Sequence, residues 1–441
     1  MSTNPQPWEP NSGTRDMPEV GPHIRLSSWV DSRIATADAP PPASDIPAIS
    51  WSSSDVTALT SPVAFKPAVC GIGTRTTSWD GLSDTVFRYE PGVFETDAGG
   101  GRDYALYGAF KPGGEAQFAR WPLGISFLTG TSNSVVEVAF YSKETNNAVR
   151  VEINGRFISD AMNYTTQPSN SGKLTLTFPT AAARSIRIWA FGTLGVALVR
   201  VPTGQSLTQP PAPKRCIALL GDSYLNGSGS TMPYASTVDQ TTFGVRLARY
   251  MGADAIMLAG VGGTGIEAGA TSIPTSNYAA RAAIINARAP QVLIINASIN
   301  DGASAGTLQA STTSLLQQFP NIREVYIVGG FRSEYRDNYR AVRAAVEGAW
   351  KNYLDLGEPL FGSGRLGSPN GSGTNDYWLL EDGAHPSADA HVAMARGAFR
   401  AYARMILGSR ALFNARPCRH AADCFMASAQ SGPDTTARAS R

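Results

Sequence analysis

RCIALLGDS, residues 215–223, is the stretch whose reading decides the fold of this chain. It runs apolar from Cys216 to Leu220 without alternation, then turns polar at Gly221-Asp222-Ser223. A strand with no polar face is buried on both sides, as strands are in parallel sheets covered by helices. The same texture returns downstream in AIMLA (255–259), QVLIINAS (291–298) and REVYIVGGF (323–331). Helical patterns lie between these strands, near 241–251, 278–287 and 307–319. A long charged amphipathic pattern covers about 334–355, and a final helix about 388–406. Strands alternating with helices predict a three-layer α/β/α domain over 215–408, with a parallel, flavodoxin-like sheet.

Upstream the pattern changes. SVVEVAFYS (134–142), AVRVEINGRFIS (148–159), KLTLTFP (173–179), RSIRIWAFG (184–192) and GVALVRVP (195–202) alternate or carry β-branched and aromatic residues. Turn signals separate them, among them Asn154-Gly155 and Ser171-Gly172. These features predict an antiparallel β-sandwich, jelly-roll-like, over 62–205. The aromatics Trp121, Phe140, Tyr141 and Trp189 are read as its core rather than as sugar platforms. Residues 1–61 are rich in Pro, Ser, Thr and Asp and are expected to form an extended or disordered arm. Residues 206–214 read as a Pro-rich linker, and 409–441 as a C-terminal tail.

At 441 residues the chain is long enough for two or three domains. Charged residues are only 16% and the formal net charge is +2, so nothing global argues for nucleic acid or an anionic membrane as a partner. No apolar run reaches the 18 or so residues of a membrane span. The opening MSTNPQPWEP has neither a basic end nor an apolar stretch, so it does not read as a secretory signal. Four cysteines are too few for a disulfide scaffold. Cys418 and Cys424 leave three readings open: a local disulfide, two free thiols, or a metal pair with His420.

In folds of this kind reactive groups collect at the carboxyl ends of the strands. The strand at 215–223 ends in Gly221-Asp222-Ser223, and the next in Gly260-Val261-Gly262-Gly263-Thr264-Gly265. The third ends in Ser298-Ile299-Asn300-Asp301, and the loop before the last helix holds Asp382-Gly383-Ala384-His385-Pro386. These are the parts of an acyl-transfer site. A serine hydroxyl needs an adjacent base, and His385 supplies one for Ser223. Asp382, three residues earlier, suits the carboxylate that orients the imidazole. The backbone N–H of Ser223, that of Gly263 (with Gly262 as the close alternative) and the amide of Asn300 suit the donors that an oxyanion requires. His391 sits inside the last helix and reads as packing or solvated. The glycine run lacks the spacing of a dinucleotide loop, and no acidic or histidine cluster marks a metal site.

Through these four blocks, residues 215–407 resemble the SGNH hydrolase superfamily, also called GDSL-type esterases and lipases. That family's blocks are matched by Gly221-Asp222-Ser223-Tyr224, by the glycine turn at Gly263, by Asn300-Asp301, and by Asp382, His385 and Pro386. Two positions depart from the pattern: Tyr224 stands for leucine, and Ser298 for the glycine of the third block. The resemblance implies an esterase with Ser223, His385 and Asp382 as triad and Ser223, Gly263 and Asn300 as oxyanion hole. It implies no cofactor and no metal. Esterases that resemble this layout, with a jelly roll ahead of the SGNH domain, often remove acetyl groups from polysaccharides. The expected substrate is therefore an ester, foremost an acetylated carbohydrate. The alternatives are a short-chain acyl or lipid esterase with the β-domain as scaffold, and a virion-associated deacetylase or adhesion protein. No long apolar lid segment is present, which disfavours long-chain lipids.

Overall fold

A computed structural model describes residues 22–54, 56–65, 85–90, 93–96, 103–106, 123–142, 147–159, 164–166, 170–191, 195–226, 242–269, 277–302, 305–329, 331, 335–349, 351–355 and 385–414 of the chain. The stretch that decides the fold is strand β1 (Cys216–Gly221). With β2 (Ala255–Gly260), β3 (Val292–Asn296), β4 (Glu324–Gly329) and β5 (Asn352–Asp355) it makes a five-stranded sheet in the order β2-β1-β3-β4-β5. Every pairing is parallel. This order is that of flavodoxin-like doubly wound sheets, whose crevice opens where the strand order reverses, beside β1. Register levels the strand ends: Gly221 lies opposite Gly260, and Leu220 opposite Ile295.

The sheet carries helices α2 (Ser223–Asn226), α3 (Phe243–Tyr250), α4 (Ala282–Arg288), α5 (Ala305–Gln317), α6 (Arg336–Gly348) and α7 (Ala388–Asn414), with a 3-10 turn at Tyr278–Arg281. Ile217, Leu219, Leu220, Ile294 and Ile327 are fully buried in it, under Leu247, Leu315, Val346 and Phe399 from the helices. Each such side chain contributes roughly 1.5–3 kcal/mol by leaving water.

Residues 22–54 do not form the extended arm expected over 1–61. Pro22–Asp38 is a helix, α1, lying against α3 and α7. Val30 and Ile34 are buried in the parallel-sheet core, and Trp29 stacks on Phe399 at 5.6 Å. Asp38 accepts from the Tyr250 hydroxyl at 2.9 Å and pairs with Arg246 at 3.2 Å and Arg396 at 3.1 Å. Polar composition hid a stripe, Trp29, Val30, Ile34 and Ala37, at helical spacing. The helix expected over 334–355 is also shorter, ending at Gly348 with β5 following. That edge strand, Asn352-Tyr353-Leu354-Asp355, is half polar, so it does not read as a buried strand.

Two antiparallel sheets make up most of the rest. One has five strands in the order Ala48–Ser52, Asn170–Thr177, Val135–Ser142, Gly195–Val201 and Val63–Phe65. The other, of seven, is built around Asn147–Ile153, Ser185–Phe191 and Leu123–Thr129. They share one apolar cluster, in which Val138, Phe140, Leu174 and Val199 meet Ile125, Phe127, Val151 and Ile188. Phe140 lies in this cluster, as expected of a core aromatic; Trp189 is buried but outside it, donating to Glu152; Trp121 lies outside the described residues, as does the Tyr141 side chain. Asn154 and Gly155 both have positive φ, 51° and 77°, as the tight hairpin turn between Ile153 and Arg156 requires. The linker at 206–214 opens with the strand Leu207–Thr208 and is tied down at its end: Asp254 Oδ2 accepts from the N–H groups of Lys214 (2.9 Å) and Arg215 (3.1 Å).

Candidate active site

Ser223 opens α2 two residues past the end of β1, and only 6% of it is exposed. The turn that presents it is braced by Asn296 at the end of β3. Asn296 Oδ1 accepts from the Asp222 N–H at 3.1 Å, and its Nδ2 donates to Asp222 Oδ1 at 2.9 Å. Asp222 Oδ1 also accepts from the Tyr224 N–H at 2.9 Å. Asp222 is thus a turn residue beneath the serine. Burial pushes its carboxyl up, while the Tyr224 N–H, Asn296 and the nearby Ile299 N–H and Ser298 hydroxyl favour the charged form. Gly221 is forced by the same neighbour: a Cβ there would collide with the Asn296 side chain.

The end of β2 folds over this turn. Val261 N–H donates to Gly221 O at 2.9 Å, so the glycine loop starts beside the serine turn. Gly263 has φ 71°, a conformation that favours glycine. Thr264 then closes the loop, its hydroxyl donating to Val261 O at 2.7 Å. The end of β3 meets it there. Asn300 Nδ2 donates to Thr264 O at 2.9 Å. Asp301 holds the far side of the loop, accepting from the N–H groups of Ile266, Glu267 and Ala268 at 2.9–3.0 Å.

His385 stands just before α7, its ring 6.2 Å from that of Tyr224, the neighbour of Ser223. Asp382 lies outside the described residues, as do Cys418, His420 and Cys424. Ser223, Gly263 and Asn300 therefore stand at the carboxyl ends of three adjacent strands, with His385 alongside. His391, on α7, is a structural group: its Nδ1 accepts from the Phe243 N–H at 3.2 Å, and its ring lies parallel to that of Phe243. Burial, helped by Arg246 and His385, holds its pKa down to about 3.

One buried residue gives no sign of itself in the sequence. Arg281, 1% exposed, donates to Gly221 O at 2.7 Å, to Ala259 O and to the Thr264 hydroxyl at 2.9 Å. It ties the ends of β1 and β2 to the glycine loop. Burial lowers its pKa to about 10, with Tyr278 and Asp222 opposing, so it stays charged at neutral pH. Among the described residues no three His, Cys, Asp or Glu side chains gather as metal ligands would. A cavity of about 210 Å³ lined by Asp38, Phe157, Arg246, Arg249 and Tyr250 lies elsewhere. Its α3 residues lead into the amino end of β2, the opposite edge of the sheet.

No protein-family model matches the chain, and no curated protein matches it in sequence. Solved structures do match. A family two carbohydrate esterase from Cellvibrio japonicus superposes with a TM-score of 0.53 at 14% identity, covering 79% of this chain and 98% of its own. The salicylyl-acyltransferase SsfX3 from a tetracycline biosynthetic pathway gives 0.52 at 16% identity, covering 74% and 97%. Both likenesses extend beyond the parallel sheet into the antiparallel part. Among the described residues no helix is long and apolar enough to cross a membrane. At such identities the likeness concerns the fold alone, and what it shows is that this chain has an SGNH hydrolase-like fold.

Proposed function

We propose that the protein is a serine ester hydrolase that removes acetyl or other short acyl groups from a carbohydrate. The observation that carries this reading is the meeting of Ser223, the Gly263 turn and Asn300 at three neighbouring strand ends, with His385 beside Tyr224. In the proposed reaction Ser223 Oγ attacks the ester carbonyl while His385 takes its proton. Asp382 orients the imidazole and stabilises its charged form. The N–H groups of Ser223 and Gly263 and the Nδ2 of Asn300 receive the oxyanion. His385 then protonates the departing sugar hydroxyl. Water, deprotonated by His385, releases the carboxylate and restores Ser223. No cofactor or metal enters these steps.

The carbohydrate assignment is supported by the carbohydrate esterase whose fold the chain shares over most of its length. In this reading the two antiparallel sheets form a jelly-roll-like sandwich that borders the sugar cleft. The test is acetate release from a panel of acetylated polysaccharides, set beside hydrolysis of p-nitrophenyl acetate. Release from at least one glycan is expected. Cleavage of the synthetic ester with none of the glycans would overturn the carbohydrate assignment and favour a short-chain acyl esterase with the sheets as scaffold.

A further inference from the structure

Ser298 occupies the place at which the resembled family carries glycine, and its hydroxyl both donates and accepts. The residue is 3% exposed. Its Oγ accepts from the Asn300 N–H at 2.8 Å and donates to Thr264 O at 3.1 Å. The Asp222 carboxylate and the Tyr278 hydroxyl also lie near this hydroxyl, so Thr264 O and Asp222 share its one proton. Thr264 O also accepts from Asn300 Nδ2, so both the backbone and the side chain of Asn300 are tied to one carbonyl group. The other end of Thr264 is held as firmly: its hydroxyl accepts from Arg281 and donates to Val261 O. Thr264 is the residue after Gly263.

Two strand-end loops thus converge on Thr264, one carrying Gly263 and the other Asn300. They come from β2 and β3, which are not neighbours, since β1 lies between them. No sheet hydrogen bond fixes their distance. We propose that Ser298 is a positioning residue: its hydroxyl links the Asn300 loop to the Gly263–Thr264 loop and so sets the spacing of two oxyanion donors. This rests on the reading of Gly263 N–H and Asn300 Nδ2 as those donors.

Without the hydroxyl, Asp301 still ties the far side of the two loops through Ile266, Glu267 and Ala268, but beside Gly263 they are joined only through the Asn300 amide, the group that must also meet the oxyanion. Oxyanion donors act by being placed before charge develops, so looser placement costs transition-state binding and leaves substrate binding nearly unchanged.

The experiment compares wild type with Ser298→Ala and Ser298→Gly on p-nitrophenyl acetate. It measures kcat, KM, thermal unfolding and the affinity for a methyl trifluoromethyl ketone, whose hemiketal with the nucleophile carries the oxyanion. Both variants are expected to lose about 10- to 100-fold in kcat, with KM within about twofold. Ketone affinity should fall by the same factor as kcat. Two folded variants that keep kcat within about twofold, or that lose kcat with ketone affinity intact, overturn the proposal. Ser223→Ala is run alongside. Wild-type turnover in that variant would defeat the esterase mechanism itself, which keeps the two failures apart.

Discussion

Asn296 shows how much of the candidate site rests on residues that touch no substrate. It is fully buried, and its amide joins the end of β3 to the turn carrying the serine. Asn296→Ala leaves the Asp222 N–H and carboxylate short of partners in the interior. That should cost about 1–3 kcal/mol in urea unfolding. It should also lower kcat, because the serine turn loses its brace. Unchanged stability and turnover would show that the turn is held by other means. Ser223, Asn300 and His385 are legible in the sequence because their blocks are short and adjoin recognisable elements, two strand ends and the start of the last helix. Asn296 and Arg281 are not. Each makes its decisive bonds to residues 74 and 60 positions away, and nothing local marks a buried polar side chain with a long-range partner. Ser298 is visible as a departure from glycine, and only the geometry says what its hydroxyl does.

At the scale of elements, the apolar strands and most of the helices of the parallel sheet follow from texture alone. The reading fails at α1 and at β5, and for one reason. Both are peripheral elements whose apolar side is a narrow stripe, so composition over a window looks polar. The join between α3 and α7 gives a pH prediction. The His391 ring is partly enclosed, with its Nδ1 accepting from the first N–H of α3. Its folded pKa is about 3, against 6.5 for the ordinary group. The unfolded chain therefore takes up a proton that the folded one refuses. The contribution is complete above about pH 6.5 and is lost progressively as pH falls from there towards 3. The ceiling on the slope is about 1.4 kcal/mol per pH unit, and partial exposure keeps it lower. Urea midpoints taken at pH 7 and pH 4.5 should differ less in His391→Gln than in the wild type. An identical pH dependence in the two proteins would contradict this account.

On the scale of the whole molecule, polar bonds join the antiparallel sheets to the parallel one. Arg187, on a central antiparallel strand, binds Glu152 at 3.0 Å and reaches across to Asp254 O at 2.8 Å, just before β2. Trp189 donates to the same Glu152 at 3.0 Å, and Arg249 of α3 donates to Gly155 O at 2.7 Å. Burial pushes the Glu152 carboxyl up, yet Arg187, Arg249 and the hydrogen bonds draw it below its ordinary range. Arg187→Ala leaves a buried carboxylate short of its main partner, a loss of about 3–5 kcal/mol. It also cuts one tie between the two parts. Calorimetry should show a lower unfolding temperature for the variant. A temperature equal to wild type would mean that the joint carries no stability. The sequence foretells an antiparallel part followed by a parallel one. It does not foretell this joint, or that α1 packs against α3 and α7, far along the chain.

All of this serves one claim, that Ser223 is an activated nucleophile. The direct measurement is covalent labelling by a fluorophosphonate, in which serine Oγ bonds to phosphorus and fluoride departs. Peptide mass spectrometry of the wild type should find one adduct, on the peptide holding Gly221-Asp222-Ser223-Tyr224, and none in Ser223→Ala. An unlabelled Ser223 in the folded wild type, or equal labelling of the Ser223→Ala protein, would contradict the account.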